Sequence, residues 1–170
     1  VFFESVNFAV LKQLPVLFIC ENNLYSVYSP LNVRQPENRN IHEMVKSFGI
    51  DAFSGNGNNV SEVFQMTQNA VEGIKAGNGP QFIEYSTYRW REHCGPNYDN
   101  DIGYRTEEEF KDWKEKDPIN YCEKELLDLS NSDIEDYHNK TQVIVDDAFE
   151  FANNSPFPNP DEAFTHLFAD

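Results

Sequence analysis

The stretch Leu14-Pro-Val-Leu-Phe-Ile-Cys-Glu-Asn-Asn-Leu-Tyr25 decides the fold of this chain. Residues 16–20 form a continuous apolar run, rich in β-branched and aromatic side chains and too short for an independent helix, which predicts a buried parallel strand. Ligands of open α/β sheets bind beyond the carboxyl ends of the strands. Here that end carries Glu21, Asn22 and Asn23. We therefore expect a ligand site directly after this strand.

The Asn22-Asn23 pair has two interpretations on its residues alone. An Asn amide oxygen is a neutral, hard ligand that suits Mg²⁺ or Ca²⁺, and such ions often share a site with phosphate groups. Asn also tolerates left-handed backbone conformations and is common in chain reversals. The pair is therefore either a metal-binding corner or an ordinary strand-ending turn.

Periodicity elsewhere predicts an alternation of helices and strands. Apolar residues at helical spacing predict helices over residues 4–13, 41–48 and 60–76. Residues with β propensity predict strands over 50–53 and 81–87, and the proline-containing stretch 26–40 is typical of a loop. This order predicts an α/β fold with a mostly parallel, doubly wound sheet flanked by helices.

A glycine-rich segment, residues 54–59, follows the predicted strand 50–53. Its Gly-x-Gly invites comparison with a phosphate-binding loop, but the third glycine and the Walker lysine are missing. We favour a turn that leads into the next helix.

The carboxyl-terminal part of the chain is helical and strongly acidic. Thr106-Glu-Glu-Glu109 is the pattern of a capping box, in which Thr106 accepts from the helix and Glu109 reaches back. Helical patterns follow from residue 117 toward 129 and over 133–153, and a proline-rich tether, 154–160, precedes a short final helix. We expect two parts: residues 1–105 in an α/β domain, and residues 106–170 as a helical extension packed on that domain.

Composition narrows the function classes. A chain of 170 residues with 39% hydrophobic content can bury a real core. The net charge of −16 opposes binding to nucleic acid or to an anionic membrane, and no run reaches the roughly 18 apolar residues of a membrane span. The acidic surface is either solvated or faces a basic partner subunit. Because Val1 already lies inside an element, we expect a segment of a longer protein.

Three cysteines, Cys20, Cys94 and Cys122, are widely spaced and form no CxxC pair. This pattern predicts reduced thiols in a cytoplasm-like compartment.

The second informative stretch is Thr87-Tyr-Arg-Trp-Arg-Glu-His-Cys-Gly-Pro-Asn-Tyr-Asp-Asn-Asp-Ile-Gly-Tyr-Arg105. It follows a predicted strand and therefore lies on the ligand side of the sheet. Long loops in compact domains are usually functional or mobile. His93 is either a surface histidine or a group that donates to an anion and moves a proton.

Together these stretches resemble the alpha subunits of thiamine diphosphate-dependent 2-oxoacid dehydrogenases, the pyruvate, branched-chain and acetoin types. Residues 3–25 resemble the second half of the thiamine diphosphate motif, which opens with Gly-Asp-Gly and closes with Asn-Asn. Residues 88–94 resemble the active-site loop Tyr-Arg-aromatic-X-Gly-His-Ser. The resemblance continues through Tyr-Arg-Thr-Glu-Glu-Glu and residues 151–163, and it covers the carboxyl-terminal half of a typical alpha subunit.

The resemblance implies the thiamine diphosphate-binding fold, with thiamine diphosphate and Mg²⁺ as cofactors. It implies that the Asn23 side chain and the Tyr25 backbone carbonyl complete the magnesium shell that holds the diphosphate. It implies that His93 contacts the diphosphate end and helps to pass the acyl group to a lipoyl arm. The implied reaction is oxidative decarboxylation of a pyruvate-like 2-oxoacid with acyl transfer to lipoamide, an oxidoreductase activity.

The same resemblance implies an obligate beta subunit, in a heterotetramer, and a lipoyl-bearing acyltransferase as a further partner. The motif's aspartate would lie shortly before Val1, and the glutamate that activates the cofactor belongs to the beta subunit. We therefore expect this fragment alone to be inactive. The expected location is the cytoplasm, or the mitochondrial matrix in a eukaryote.

Two residues depart from the family's loop. Glu92 replaces the usual glycine, and Cys94 stands where mitochondrial relatives carry a phosphorylatable serine, so that kinase switch is not expected. Two alternatives stay open: a related thiamine diphosphate enzyme with another acyl acceptor, and a non-catalytic α/β interaction subunit.

Overall fold

Helices and strands alternate along the computed structural model, which describes residues 1–126 and 131–165. The helices of its first part are α1 (Phe2–Lys12), α2 (Ile41–Lys46) and α3 (Val60–Lys75). The strands are β1 (Leu17–Asn22), β2 (Tyr25–Ser26), β3 (Ser29–Pro30), β4 (Asp51–Asn56) and β5 (Gln81–Ser86). The predicted order of helices and strands is confirmed, apart from the small hairpin β2–β3 inside the expected loop.

The main sheet has the order β1-β5-β4, with both neighbours parallel to β5. Its register pairs Asn22 of β1 and Asn56 of β4 with the same residue, Ser86 of β5. The carboxyl ends of all three strands therefore meet at one edge of the sheet. The predicted α/β fold with a parallel sheet flanked by helices is confirmed.

Alternate residues of β5 pack into two separate cores. Phe82 is 1% exposed and packs on one face with Val6 of α1 and Val45 of α2. Ile83 and Tyr85 pack on the other face, against α3. Helices thus cover both faces of the sheet, because the pleat sends successive side chains of a strand in opposite directions.

The structure corrects the prediction for β1. The strand was expected to be buried and to end at residue 20, but it lies at an edge of the sheet and Ile19 is 52% exposed. It also runs on through Glu21 and Asn22, because these residues pair with Tyr85 and Ser86 of β5. Among the strands that the structure describes, β5 is the one with a neighbour on each side.

The glycine-rich segment lies partly in a strand. Gly55 belongs to β4, whereas Gly57 turns the chain toward α3, which Asn59 caps. The Gly57 N–H donates to the Ser86 carbonyl over 2.8 Å, and a Cβ at Gly57 would lie 2.9 Å from that oxygen. This close approach of two backbones explains the glycine.

Helix α4 (Glu107–Lys114) begins after Thr106, whose hydroxyl accepts from the Glu109 N–H over 3.1 Å. The expected reciprocal half of the capping box is wrong. The Glu109 carboxylate accepts instead from the Tyr25 hydroxyl, over 2.7 Å. A long-range partner has therefore replaced the local one.

The helical segments α5 (Pro118–Tyr121), a single π-helical turn (Cys122–Leu126) and α6 (Asn131–Asn154) follow α4. A short 3₁₀ helix, Pro160–Phe164, stands where the final helix was expected. The end of the helix predicted toward residue 129 lies outside the described residues. Across the described part of the chain, none of the helices combines the length and apolar character that a membrane span requires.

By its internal contacts the chain forms two compact units, Val1–Leu126 and Leu127–Asp170. The first unit holds the sheet, the long loop and helices α4 and α5. The second unit holds α6. The domain division expected after residue 105, with a helical extension packed on the α/β domain, stays a prediction.

Candidate functional site

The chain reverses sharply at the carboxyl end of β1, in a turn that we call the asparagine corner (residues 22–25). Asn22 Oδ1 accepts from the Leu24 N–H over 3.2 Å, and Asn23 Oδ1 accepts from the Tyr25 N–H over 3.1 Å. Leu24 has a φ of 68°, in the left-handed region. Both asparagines therefore make the turn contacts of the simpler interpretation. An amide oxygen has a second lone pair, so these contacts leave room for a cation.

The side chain and the backbone carbonyl of Tyr25 have different surroundings. Its hydroxyl donates to Glu109 Oε2, and its ring meets Tyr104 edge-on with 5.2 Å between ring centres. Burial, and then the hydrogen bond to Glu109, raise the pKa of Tyr25 above the usual tyrosine range. The residue opposite Tyr25 in the β2–β3 hairpin is Pro30. Because proline has no N–H, it cannot donate to the Tyr25 carbonyl.

The long loop after β5 reaches the hairpin that follows the asparagine corner. Arg89 donates to the Val27 carbonyl and to the Tyr104 hydroxyl, each over 3.0 Å. The Tyr104 hydroxyl donates in turn to Asp99 Oδ2 over 2.8 Å. Burial and this hydrogen bond to Asp99 raise the pKa of Tyr104. The loop is thus attached to the corner region through its first residues.

A buried ion pair closes the same loop from within. Arg105 donates to Asp99 Oδ1 and also to the carbonyls of Arg89 and Trp90. Asp99 and Arg105 are 3% and 5% exposed. A buried charge is tolerated when it is paired and hydrogen-bonded, as both of these are.

His93 lies in the outer turn of this loop, directly after two residues that hold the turn together. Glu92 donates its N–H to the Asn97 carbonyl over 2.9 Å and accepts from Asn97 Nδ2 over 2.8 Å. Arg91 stacks on the Tyr98 ring at 3.9 Å. The His93 and Cys94 side chains are exposed, and His93 has no hydrogen-bond partner among residues 1–126 and 131–165. The structure brings Asn23 and Tyr25 together in one turn, whereas His93 makes no hydrogen bond to either.

A group that the sequence analysis missed is the carboxylate of Glu84, in the middle of β5. Its Oε1 accepts from Asn22 Nδ2 over 2.7 Å, and its Oε2 accepts from the His42 N–H over 3.1 Å. The His42 ring nitrogen Nδ1 lies 3.2 Å from the same Oε2. Only 12% of the Glu84 side chain and 16% of the His42 side chain are exposed. The available signal was a carboxylate inside the otherwise apolar run 82–85.

A cleft of about 590 Å³ opens at this edge of the sheet. Its lining combines the Glu84 group with amides, hydroxyls and one cation: Asn22, Asn40, His42, Ser54, Asn56, Glu84, Ser86 and Lys116, together with Gly55 and Trp113. Asn23, Tyr25 and His93 are not part of this lining. The predicted site residues and the cleft thus lie at the same carboxyl edge of the sheet, but the predicted residues do not line the cleft.

The oxygen donors at the corner fit a magnesium ion that is bound together with an anion. The Asn23 amide and the Tyr25 carbonyl are neutral, hard donors of the kind that Mg²⁺ uses. Within the described ranges, no group of three or more His, Cys, Asp or Glu side chains could hold a metal ion by itself. Residues 22–25 contain no carboxylate, and phosphate oxygens, which often share a site with Mg²⁺, would supply negative charge beside these donors.

Comparisons with known proteins identify relatives of this chain. The pyruvate dehydrogenase E1 component subunit alpha of Rickettsia bellii is 34% identical over 169 residues, which cover 98% of this chain and 51% of the relative. The subunit of the same name from Porphyra purpurea is 34% identical over 99% of this chain and 49% of its own length. The 2-oxoisovalerate dehydrogenase subunit alpha of Bacillus subtilis is 33% identical over 99% of this chain and 51% of its own.

The chain spans about half the length of the curated relatives it matches. The profile of the family described as Dehydrogenase E1 component matches residues 1–161. This match takes in the sheet, the asparagine corner, the long loop and the helices that follow. The chain therefore belongs to the dehydrogenase E1 component family.

Proposed function

We propose that this chain is part of the alpha subunit of a thiamine diphosphate-dependent 2-oxoacid dehydrogenase. The observation that carries the proposal is the asparagine corner at the carboxyl edge of a parallel sheet, in a chain whose family profile runs through it. The relatives' names point to the substrate class, since pyruvate and 2-oxoisovalerate are both 2-oxoacids. The reaction is oxidative decarboxylation of a pyruvate-like 2-oxoacid, with a disulfide such as lipoamide as the acceptor.

Asn23 and Tyr25 are the residues of this chain that would hold the cofactor's Mg²⁺. The Asn23 amide oxygen offers its second lone pair, and Pro30, which lies opposite Tyr25 in the hairpin, has no N–H to donate to the Tyr25 carbonyl. Thiamine diphosphate, when bound, supplies the electron sink for decarboxylation. The corner's task is to fix the diphosphate end, and so to orient the reactive ring.

His93 is the catalytic residue of the proposal. An imidazole can donate to a diphosphate oxygen in one protonation state and accept a proton in the other. Its exposure in the outer turn leaves both ring nitrogens available to a bound group or to a partner's lipoyl arm. The network around Arg105 holds the inner part of the loop, so that the His93 turn starts from a fixed base.

The proposal includes a beta subunit, in a heterotetramer, and a lipoyl-bearing acyltransferase as the next partner. The net charge of −16 suits a basic partner surface. The fragment alone is proposed to be inactive, and the assembly to work in the cytoplasm or the mitochondrial matrix. An acyl acceptor other than lipoamide is the alternative, and the Glu92–Asn97 turn beside His93 is the feature that favours it.

The first test is calorimetric titration of thiamine diphosphate with Mg²⁺ into the full-length alpha chain, co-expressed with its beta chain. We expect saturable, magnesium-dependent binding that Asn23→Ala largely abolishes. Asn69→Ala, which removes an exposed amide from α3, is the matched control and should bind like the wild type. Absence of binding in the wild-type assembly would overturn the proposal and favour an α/β interaction subunit.

The acyl acceptor needs a second measurement. With cofactor bound, the assembly should acylate an isolated lipoyl domain when supplied with a 2-oxoacid, and His93→Ala should slow this transfer. Decarboxylation without acylation of the lipoyl domain would point to the other thiamine diphosphate enzymes.

A further inference from the structure

We infer that Glu84 is a positioning residue for the asparagine corner, acting on the proposed metal ligands through Asn22. This inference rests on the proposed function, because it concerns how Asn23 and Tyr25 are held for Mg²⁺. Glu84 belongs to β5, the strand with a neighbour on each side, so its own backbone is the best fixed in the sheet. It touches neither proposed ligand by a hydrogen bond.

The first step is the contact between Glu84 and Asn22. The Asn22 Nδ2 donates to Glu84 Oε1 over 2.7 Å, between adjacent strands and on the same side of the sheet. A hydrogen bond to a carboxylate is stronger than one between neutral groups. Because the carboxylate accepts only, it selects the nitrogen end of the amide. The orientation of the Asn22 amide is thereby set.

The second step is what the other end of that amide does. With Nδ2 turned to Glu84, Asn22 Oδ1 accepts from the Leu24 N–H over 3.2 Å. Leu24 has a φ of 68°, a conformation that a leucine rarely adopts because its Cβ crowds the backbone. The Asn22 hydrogen bond helps to hold the chain in this conformation.

The third step leads to the ligands themselves. Leu24 lies between Asn23 and Tyr25, so its dihedral angles decide how the Asn23 amide and the Tyr25 carbonyl are directed relative to each other. A magnesium ion demands near-ideal geometry from its oxygen ligands. Loss of the Glu84 contact should therefore loosen the corner and weaken metal binding, although Glu84 is not itself a ligand.

Glu84 also has a structural role that the test must separate. Its Oε2 accepts from the His42 N–H in the first turn of α2, which fastens that helix to the sheet. A purely structural Glu84 would change stability and leave the metal requirement of the folded protein unaltered. The contact with Asn22 uses Oε1 and the contact with His42 uses Oε2. A variant of Asn22 can therefore remove the first contact and leave the second.

The experiment measures the Mg²⁺ concentration that half-saturates cofactor binding, by calorimetry at saturating thiamine diphosphate, in the full alpha–beta assembly. Glu84→Ala and Asn22→Ala should each raise that concentration about ten-fold or more, the effect typical of losing a group that orients a metal ligand. The double variant should be no worse than either single one, because both break the same link. Glu84→Gln keeps one acceptor oxygen for two donors, Asn22 Nδ2 and the His42 N–H, so its Mg²⁺ requirement should lie between those of the wild type and Glu84→Ala.

Glu43→Gln is the matched control. Glu43 lies 3.3 Å from the other ring nitrogen of His42 and is exposed, so this variant removes a carboxylate from the same histidine without touching Asn22. Its Mg²⁺ requirement should equal that of the wild type. Thermal unfolding of each apo assembly reports the structural role separately.

The outcomes distinguish this inference from the proposed function. If Asn23→Ala weakens binding and Glu84→Ala only lowers the unfolding temperature, Glu84 is structural and the inference is overturned while the function stands. If Glu84→Ala fails to assemble, the Mg²⁺ requirement of Asn22→Ala tests the inference, because this variant leaves the contact between Glu84 and His42 in place. An unchanged requirement in Asn22→Ala would overturn the inference. If the wild-type assembly binds no cofactor, both the function and this inference are wrong.

Discussion

Arg105 donates to Asp99 Oδ1 in an ion pair whose side chains are 0% and 4% exposed. Asp99 Oδ2 accepts from the Tyr104 hydroxyl at the same time, over 2.8 Å. Arg105 also holds two carbonyls at the start of the long loop. One buried pair therefore ties both ends of the loop that carries His93.

Removing one member of this pair should destabilise the protein strongly. Asp99→Ala leaves the Arg105 charge buried and unpaired, which costs about 3–5 kcal/mol of unfolding free energy. Urea unfolding of the full-length chain in its assembly measures this loss. Lys46→Met, which breaks an exposed pair with Glu43, is the control and should leave the transition nearly unchanged. Equal effects of the two variants would show that the Asp99 pair is not effectively buried in solution.

Tyr25→Phe should separate the two roles of this residue. The variant loses the hydroxyl that donates to Glu109 over 2.7 Å, so we expect a loss of about 1–2 kcal/mol in unfolding free energy. The backbone carbonyl is unchanged, so binding of thiamine diphosphate with Mg²⁺ should persist. Calorimetry and urea unfolding on one preparation check both. Loss of binding with unaltered stability would contradict the assignment of the metal contact to the carbonyl.

The outer turn of the loop should depend on Gly95 and Glu92 together. A Cβ at Gly95 would clash with Glu92 Oε1, the oxygen that accepts from Asn97. Gly95→Ala should therefore displace Glu92 and cost about 1 kcal/mol, as should Glu92→Ala, which removes the same hydrogen bonds. Limited trypsin cleavage after Arg91 should become faster in both variants.

The double variant Glu92→Ala, Gly95→Ala is the control for this coupling. Because both changes remove the same contacts, its cleavage rate should match that of the single variants. Additive effects would mean that the turn does not rely on the contact between Glu92 and Asn97.

Stability should fall at alkaline pH because of Cys20. Burial, and then the charges of Glu84 and Glu21, raise the pKa of its thiol in the folded protein. Above the ordinary thiol pKa of about 8.5 the unfolded chain releases the proton first, so unfolding becomes easier as pH rises. Denaturant midpoints measured from pH 7.5 to 9.5 should decline less in Cys20→Ala than in the wild type. Cys94→Ala, at an exposed thiol, should keep the wild-type slope.

Local sequence patterns predicted the helices and the parallel strands well, because each carries its signal, a helical period or a short run with β propensity, within its own residues. Residues 60–76 were predicted as a helix, and α3 spans Val60–Lys75. The end of β1 was placed too early, since pairing with β5 rather than local hydrophobicity extends it to Asn22. The hairpin β2–β3 was missed because its strands have two residues each, too few for any period.

The site was only partly predictable for a similar reason. Asn23 and Tyr25 lie in one continuous stretch, so a motif could identify them. Glu84 has its partners 42 and 62 residues away in the chain, and no local pattern reveals such contacts. Glu109 was assigned to its own helix end, but its partner is 84 residues away.

The central position of β5 has a consequence for motion. Its backbone pairs with strands on both sides, so the hydrogens of its paired N–H groups can exchange with solvent only when the sheet itself opens. The loop with Arg89 and His93 starts directly from this slowly exchanging strand. The outer turn around His93, held mainly by contacts among its own residues, can open on a faster timescale. The loop therefore starts from a strand that opens slowly and ends in a turn that opens faster. His93 can sample new positions while the asparagine corner keeps its conformation.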